Sequence, residues 1–117
     1  MVARYRENLS GIDGVSLRPV PEGVVSNYAY FPVTFDPGAF GSTRDDVAAA
    51  LNQYDIYPRK YFFPLSSEAA CYRGQFDPLD TLVALAASRS VLTLPLYADL
   101  ALSDVDDICQ IVRSCKK

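Results

Sequence analysis

The chain has 117 residues, half of them apolar and 21% charged, with 14 Asp and Glu against 11 Lys and Arg and a net charge of −3. That length holds one hydrophobic core, since domains cluster near ~100 to 150 residues, and the composition is that of a folded chain. A net negative charge without clustered Lys and Arg excludes a nucleic-acid surface as partner, because phosphate recognition needs cations that displace counterions.

Val2 to Leu9 carry helix-forming residues and stop at Ser10-Gly11, so the chain is expected to open on a helix that has no start signal of its own. A Gly- and Pro-rich loop is expected through Gly23. Asn27 to Phe35 is rich in aromatic and β-branched residues and predicts a first strand, with Pro32 suggesting an edge position or a bulge. Asp36-Pro37-Gly38 turns the chain. Ser42-Thr43 followed by Asp45 and Asp46 predicts a capped helix from Thr43 to Tyr54, with Val47, Ala50, Leu51 and Tyr54 as its core-facing stripe.

Ile56 to Phe63, bounded by Pro58 and Pro64, predicts a second strand, and Leu65 to Phe76 reads as a loop. Asp77-Pro78 is an N-cap with proline at the first helical position, opening a helix to about Ser88 on Leu79, Leu82, Val83 and Ala86. Val91 to Tyr97 predicts a third strand. The last helix is expected from Ser103, with Asp104, Asp106 and Asp107 in its first turn and Arg113, Lys116 and Lys117 in its last, burying Val105, Ile108, Cys109 and Val112. The sum is a small α/β, or α+β, two-layer domain: a three-stranded sheet covered by helices.

The chemistry available to these residues is narrow. No histidine is present, so Ser/His/Asp and Cys/His nucleophile systems are ruled out, and no glycine-rich phosphate loop occurs. Three cysteines, Cys71, Cys109 and Cys115, show no metal-ligand spacing and read as thiols in a reducing cytoplasm; no metal is expected. No apolar run reaches the ~18 to 20 residues of a membrane span, and no membrane partner is expected. Lys60 sits between Arg59 and a run of aromatics and reads as a snorkelling side chain rather than a Schiff-base lysine. The densest candidate is Tyr57-Pro-Arg59-Lys-Tyr61-Phe62-Phe63-Pro-Leu-Ser66, where an arginine among aromatics can grip a carboxylate or phosphate; the same pattern also fits a sheet packing its aromatic face, with Arg59 on the wet side. An unrelated enzyme using Arg59, Tyr61 and Asp36 has no motif behind it.

Taken in order, Asn27-Tyr-Ala-Tyr-Phe-Pro-Val, Thr43-Arg-Asp-Asp-Val with Leu51 and Ile56, Arg59-Lys-Tyr-Phe-Phe-Pro-Leu, and Leu94-Pro-Leu-Tyr97 with Leu100 and Val105 to Ile108 resemble the C-terminal region of the DegT/DnrJ/StrS sugar aminotransferases. The resemblance covers nearly the whole chain and implies the small domain of a fold-type I enzyme, with a mainly antiparallel sheet. In that reading residues 1–117 form one small domain, 1–11 being the end of an interdomain helix and 24–117 the α/β body. The family moves an amino group onto nucleotide-linked keto-sugars with pyridoxal phosphate, as cytoplasmic homodimers, in cell-surface polysaccharide biosynthesis. Its cofactor lysine belongs to a large domain, so the resemblance implies no catalytic and no cofactor-binding residue here, and no activity for these residues alone. Arg59, Tyr61, Phe62 and Ser66 are the implied substrate-facing residues. Ser66 departs from the family, many members of which have histidine after the Pro-Leu pair. The implied partner is the large N-terminal domain or a second copy, and the competing reading is a freestanding non-catalytic binding or assembly module with the same fold.

Overall fold

A computed structural model describes residues 1–117. In chain order they form α1 (Val2–Leu9), β1 (Val15–Leu17), β2 (Phe31–Phe35), α2 (Pro37–Phe40), α3 (Arg44–Asn52), three short 3-10 turns (Ser66–Glu68, Ala70–Tyr72, Pro78–Thr81), α4 (Leu82–Ser90), β3 (Val91–Leu94) and α5 (Leu102–Ser114). The strands make one antiparallel sheet in the order β1-β2-β3. No helix is long and apolar enough to cross a membrane.

Local chemistry explains most of the boundaries. Ser10 closes α1 by donating its N–H to the Arg6 carbonyl, and Gly11 follows in the left-handed region. The Asp36 carboxylate accepts from the Gly38 N–H at 2.9 Å and starts α2, with Pro37 where a missing N–H costs nothing. Thr43 and Asp46 make a reciprocal capping box on α3, at 2.8 Å and 3.1 Å. Strand β2 alternates, sending Phe31, Val33 and Phe35 into the core and Pro32 and Thr34 the other way.

Helices α1, α3 and α5 close over the apolar face of the sheet. Tyr5, Leu9, Phe40, Val47, Leu51, Val105, Ile108 and Val112 from the helical side meet Phe31, Val33, Phe35, Leu92 and Leu94 from the strands. Each fully buried side chain of this size contributes about 1.5–3 kcal/mol by leaving water. The Arg4 guanidinium ties α1 to α5 by donating two hydrogen bonds to the Asp106 carboxylate, at 2.7 Å and 2.9 Å.

Several expectations are corrected here. The loop expected through Gly23 contains strand β1, and the strand expected over Ile56–Phe63 shrinks to one bridge, Arg59 with Thr93. The reason lies in its partner. Antiparallel pairing beyond that bridge would set Tyr57 against Pro95, which has no N–H, and Tyr61 against Val91. The Val91 N–H closes α4 on the Ala87 carbonyl, and the Val91 carbonyl accepts from Arg44.

Pro32 stands in the central strand rather than at an edge. Its partner Thr93 turns its own N–H and carbonyl toward Arg59, so Pro32 faces the β1 side, where pairing has ended at Leu17 with Val33. Strand β3 ends at Leu94 because Pro95 follows. Tyr54 is exposed, lying beyond the end of α3. In the Pro78–Ser90 segment Leu85 and Ser88 are buried, whereas Leu79, Leu82 and Val83 are 62%, 64% and 86% exposed and Ala86 is exposed. A segment apolar on every side carries no phase that says which face turns inward. Helix α5 opens at Leu102, one residue before Ser103; only Asp104 falls in its first turn, and Lys116 and Lys117 lie past its end.

Candidate functional site

The single bridge between Arg59 and Thr93 sets the residues 54–61 along the free edge of β3 and leaves a cleft between them and the start of α5. The cleft has a volume of about 710 Å³ and is lined by Tyr30, Tyr54, Tyr57, Arg59, Tyr61, Pro95, Tyr97, Asp104 and Asp107 among others. Asp55, at φ +58°, turns the chain out of α3 and accepts a 3.1 Å hydrogen bond from the Tyr57 hydroxyl, which holds that ring on the cleft wall. Asp tolerates this left-handed backbone better than most side chains.

Arg59 reaches along the opening. Its Nη1 donates to the Tyr61 hydroxyl oxygen at 3.1 Å, and that contact, the leading one on the guanidinium, pushes the Arg59 pKa further up. The Tyr61 ring meets Tyr30 edge-to-face with centroids 4.8 Å apart. Behind the cleft, the buried Tyr5 hydroxyl donates to the Pro95 carbonyl at 2.9 Å, so α1 fixes the loop after β3; burial pushes the Tyr5 phenol up. Asp106, held by Arg4 and Asn8, is engaged elsewhere, while Asp104 and Asp107 face the cleft.

Of the four substrate-facing residues expected from the sequence, the fold brings Arg59 and Tyr61 together on this cleft and places the other two away from it. Phe62 is 76% exposed and touches Tyr61 with ring centroids 5.3 Å apart. Ser66 opens the first 3-10 turn, on a shallow depression with Leu65, Tyr72, Phe76 and Thr81. Tyr30, Tyr54, Tyr97, Asp104 and Asp107 also line the cleft, although the sequence pattern assigns Tyr54 to the core stripe of α3 and the two aspartates to the first turn of α5. Tyr57 was within reach, since it alternates with Arg59 and Tyr61 along an extended segment. No local signal marks Tyr30 or Tyr97, which arrive through the pairing of Phe31 with Leu94.

Flat aromatic walls, one guanidinium and three carboxylates, one of them, Asp55, already holding Tyr57, can recognise a ligand with apolar ring faces, an anionic group and hydroxyls. No Ser, Cys, His or Lys side chain lines the cleft. The lining residues do not fit the covalent attachment of pyridoxal phosphate, which needs a lysine amine. Lys60 does not line the cleft and is paired with Asp45 at 2.6 Å, and Lys116 is paired with Asp13 at the other end of the chain.

Comparison with known proteins follows the same line. The sequence profile of the DegT/DnrJ/EryC1/StrS aminotransferase family matches residues 1–113. A dTDP-4-amino-4,6-dideoxy-D-glucose transaminase of Escherichia coli is 40% identical over 98 residues, covering 82% of this chain and 26% of that protein. The enzyme of the same name from Shigella dysenteriae is 30% identical over 113 residues, 96% of this chain and 30% of its own. Among solved structures, DesI with its TDP-sugar product superposes with a TM-score of 0.85 at 30% identity, over 97% of this chain and 29% of DesI. The chain thus spans less than a third of the length of the relatives it matches.

Proposed function

The chain belongs to the DegT/DnrJ/EryC1/StrS aminotransferase family, and on that premise we propose that it is the small C-terminal part of a pyridoxal-phosphate-dependent aminotransferase acting on a nucleotide-linked keto-sugar. In this role the Arg59–Tyr61 cleft supplies one wall of the substrate site. The cofactor, carrier of the transferred amino group, is held by residues of the larger part of the enzyme, and these residues alone do not transaminate. Arg59 takes an anionic oxygen of the substrate, Tyr61 and Tyr30 stack on a ring face, and Asp104 and Asp107 accept hydrogen bonds from hydroxyls.

The observation that carries the proposal is the match to DesI over almost the whole chain, in a structure whose partner molecule is a TDP-sugar. The cleft's openness supports the division of labour. Tyr30, Tyr57 and Tyr97 stay 55%, 68% and 57% exposed, whereas a working small-molecule site buries ~70 to 90% of its ligand. One wall is present, and the opposing wall must come from elsewhere in the enzyme or from a second copy. A cytoplasmic homodimer serving cell-surface polysaccharide synthesis is the setting this proposal implies.

The test is a chimera in which this chain replaces the matching segment of the Escherichia coli relative. The expected result is a soluble protein that shows the cofactor's visible absorption and transaminates a dTDP-4-keto-6-deoxyhexose, with Arg59→Met raising KM at least severalfold. A folded chimera that binds neither cofactor nor sugar nucleotide sinks the proposal. A specific ligand and a stable dimer formed by the 117 residues alone would instead establish a freestanding binding module.

A further inference from the structure

Arg44 is the most deeply buried charge in the chain, its side chain only 1% exposed. It is also the first residue of α3, where the helix's own first turn disfavours a cation. A buried guanidinium without partners is costly, so its contacts show what it is arranged around. Nη1 donates to the Val91 carbonyl at 2.9 Å, and Nε donates to Asp45 Oδ1 at 2.9 Å. The guanidinium carbon lies over the ring of Phe63, 4.7 Å from its centroid. Asp45 also holds Lys60 at 2.6 Å, and the Lys60 ammonium lies 5.9 Å from the same ring.

These contacts converge on one stretch of chain. The 3-10 turns of 66–68, 70–72 and 78–81 bury no residue, and Phe62 and Phe63 are 76% and 48% exposed. Few buried contacts mean low local stability, so the placement of the segment after Tyr61 rests on a small number of anchors. Phe63, half exposed itself, is the one set on the buried guanidinium of Arg44. Arg44 also occupies the carbonyl that Tyr61 would otherwise pair with, which stops the Arg59–Thr93 pairing and lets the chain turn.

We propose that Arg44, acting with Asp45, is a positioning residue: together they grip Phe63 and Lys60 on either side of Tyr61 and thereby fix Tyr61 on the cleft. This rests on the reading of the cleft as a substrate wall. Arg44 does not line the cleft and touches no substrate; its effect passes through Phe63, Lys60 and the backbone between them.

The experiment compares Arg44→Lys, Phe63→Leu and Phe63→Trp with the parent, by amide hydrogen exchange of the 117-residue chain and by steady-state kinetics of the chimera described above. Losing the guanidinium–ring contact is expected to raise exchange at the hydrogen-bonded amides that flank it, those of Arg59, Leu65, Glu68 and Ala69, by about 3- to 30-fold in Phe63→Leu, the range such contacts span. Amides of α5 should change by less than about twofold, being protected through the core. Phe63→Trp, which keeps an aromatic face, should restore protection. In the chimera the same substitutions should raise KM for the dTDP-sugar and move kcat little, since only placement of a binding wall is altered. Unchanged exchange at those four amides, or a uniform rise across all amides, overturns the proposal, as does altered exchange with unaltered KM. An inactive parent chimera tells against the enzymatic reading instead, and the exchange data then decide the clamp on their own.

Discussion

Gly14 provides a sharp test of the packing, because a matched control lies three residues away. Both Gly11 and Gly14 are left-handed, at φ +77° and +76°. A side chain on either must adopt that backbone, at about 1–2 kcal/mol for an L-residue. Around Gly11 nothing lies within 4 Å of an added Cβ, so Gly11→Ala isolates the conformational cost. At Gly14 the added atom would stand 2.3 Å from the Phe40 nitrogen, 2.6 Å from the Phe40 Cβ and 2.8 Å from the Asp36 carbonyl. Ordinary contact begins at 3.4 Å, so the turn and α2 must separate by 3.4 − 2.3, or about 1.1 Å, against backbone atoms that cannot swing aside. The movement also strains the 2.8 Å hydrogen bond from the Asp36 N–H to the Gly14 carbonyl. Overpacking of this kind adds about 1–3 kcal/mol, so Gly14→Ala should lose about 2–5 kcal/mol in all. Urea denaturation followed by far-ultraviolet circular dichroism, with a common slope for the three proteins, reads both numbers. A Gly14→Ala protein no less stable than Gly11→Ala would refute the packing of that turn against α2. Strand β1 and the bridge at Arg59 lie at opposite edges of the sheet, so whatever fraction folds should keep its cleft.

Thiol labelling at pH 8 should modify exposed Cys71 first, Cys115 more slowly, and Cys109 only on unfolding, since burial pushes the Cys109 thiol up to about 11; equal labelling of Cys71 and Cys109 by intact mass would contradict the α5 packing. Asp45, Asp46 and Asp106 are held below the usual carboxylate value of 3.8, chiefly by Lys60, Thr43 and Arg4 respectively. Their folded pKa values are depressed, so this stability is present above 3.8 and is lost as pH falls through the lower folded values; the urea midpoint should hold from pH 6 to about 4 and drop below it, and a flat profile to pH 2.5 would exclude these pairs as contributors. Leu79, Leu82 and Val83 form exposed apolar surface with Phe76, and such surface favours association. Sedimentation at rising concentration should therefore show reversible self-association that Leu82→Ser with Val83→Glu weakens; a strictly monomeric parent removes that expectation.

What the sequence disclosed about the fold was local. The Thr43–Asp46 box, the Asp77-Pro78 start and the Gly11 stop each act within four residues, and each helix they announce is present, whereas Asp36-Pro37-Gly38, expected only to turn the chain, opens the short helix α2. Strands are pairings, and half of every pairing lies elsewhere. Val15–Leu17 is three residues long with weak alternation, and it is a strand because Val33–Phe35 offers an edge. The aromatic run at 56–63 has every intrinsic mark of a strand yet forms one bridge, because Pro95, the Val91 N–H and the Arg44 side chain deny it partners. Composition within a segment describes what it can pair with, and the partner decides whether it does.

The same distinction governs the site. Tyr57, Arg59 and Tyr61 share one side of an extended segment, so their convergence follows from a period of two once that segment is extended. Phe62 lies in the turn that ends the extended stretch and does not line the cleft, and Ser66 lies past Phe63, which is anchored on Arg44. Tyr30 joins Tyr61 only because Phe31 pairs with Leu94 while Arg59 pairs with Thr93 on the same strand's other edge. Strand β3 thus brings two distant tyrosines to one opening through two registers, neither of which is written in the residues around either tyrosine. A family resemblance transfers those registers wholesale. It singles out the segment from Arg59 to Ser66, and within that segment the fold turns Arg59 and Tyr61, but not Phe62 or Ser66, toward the cleft.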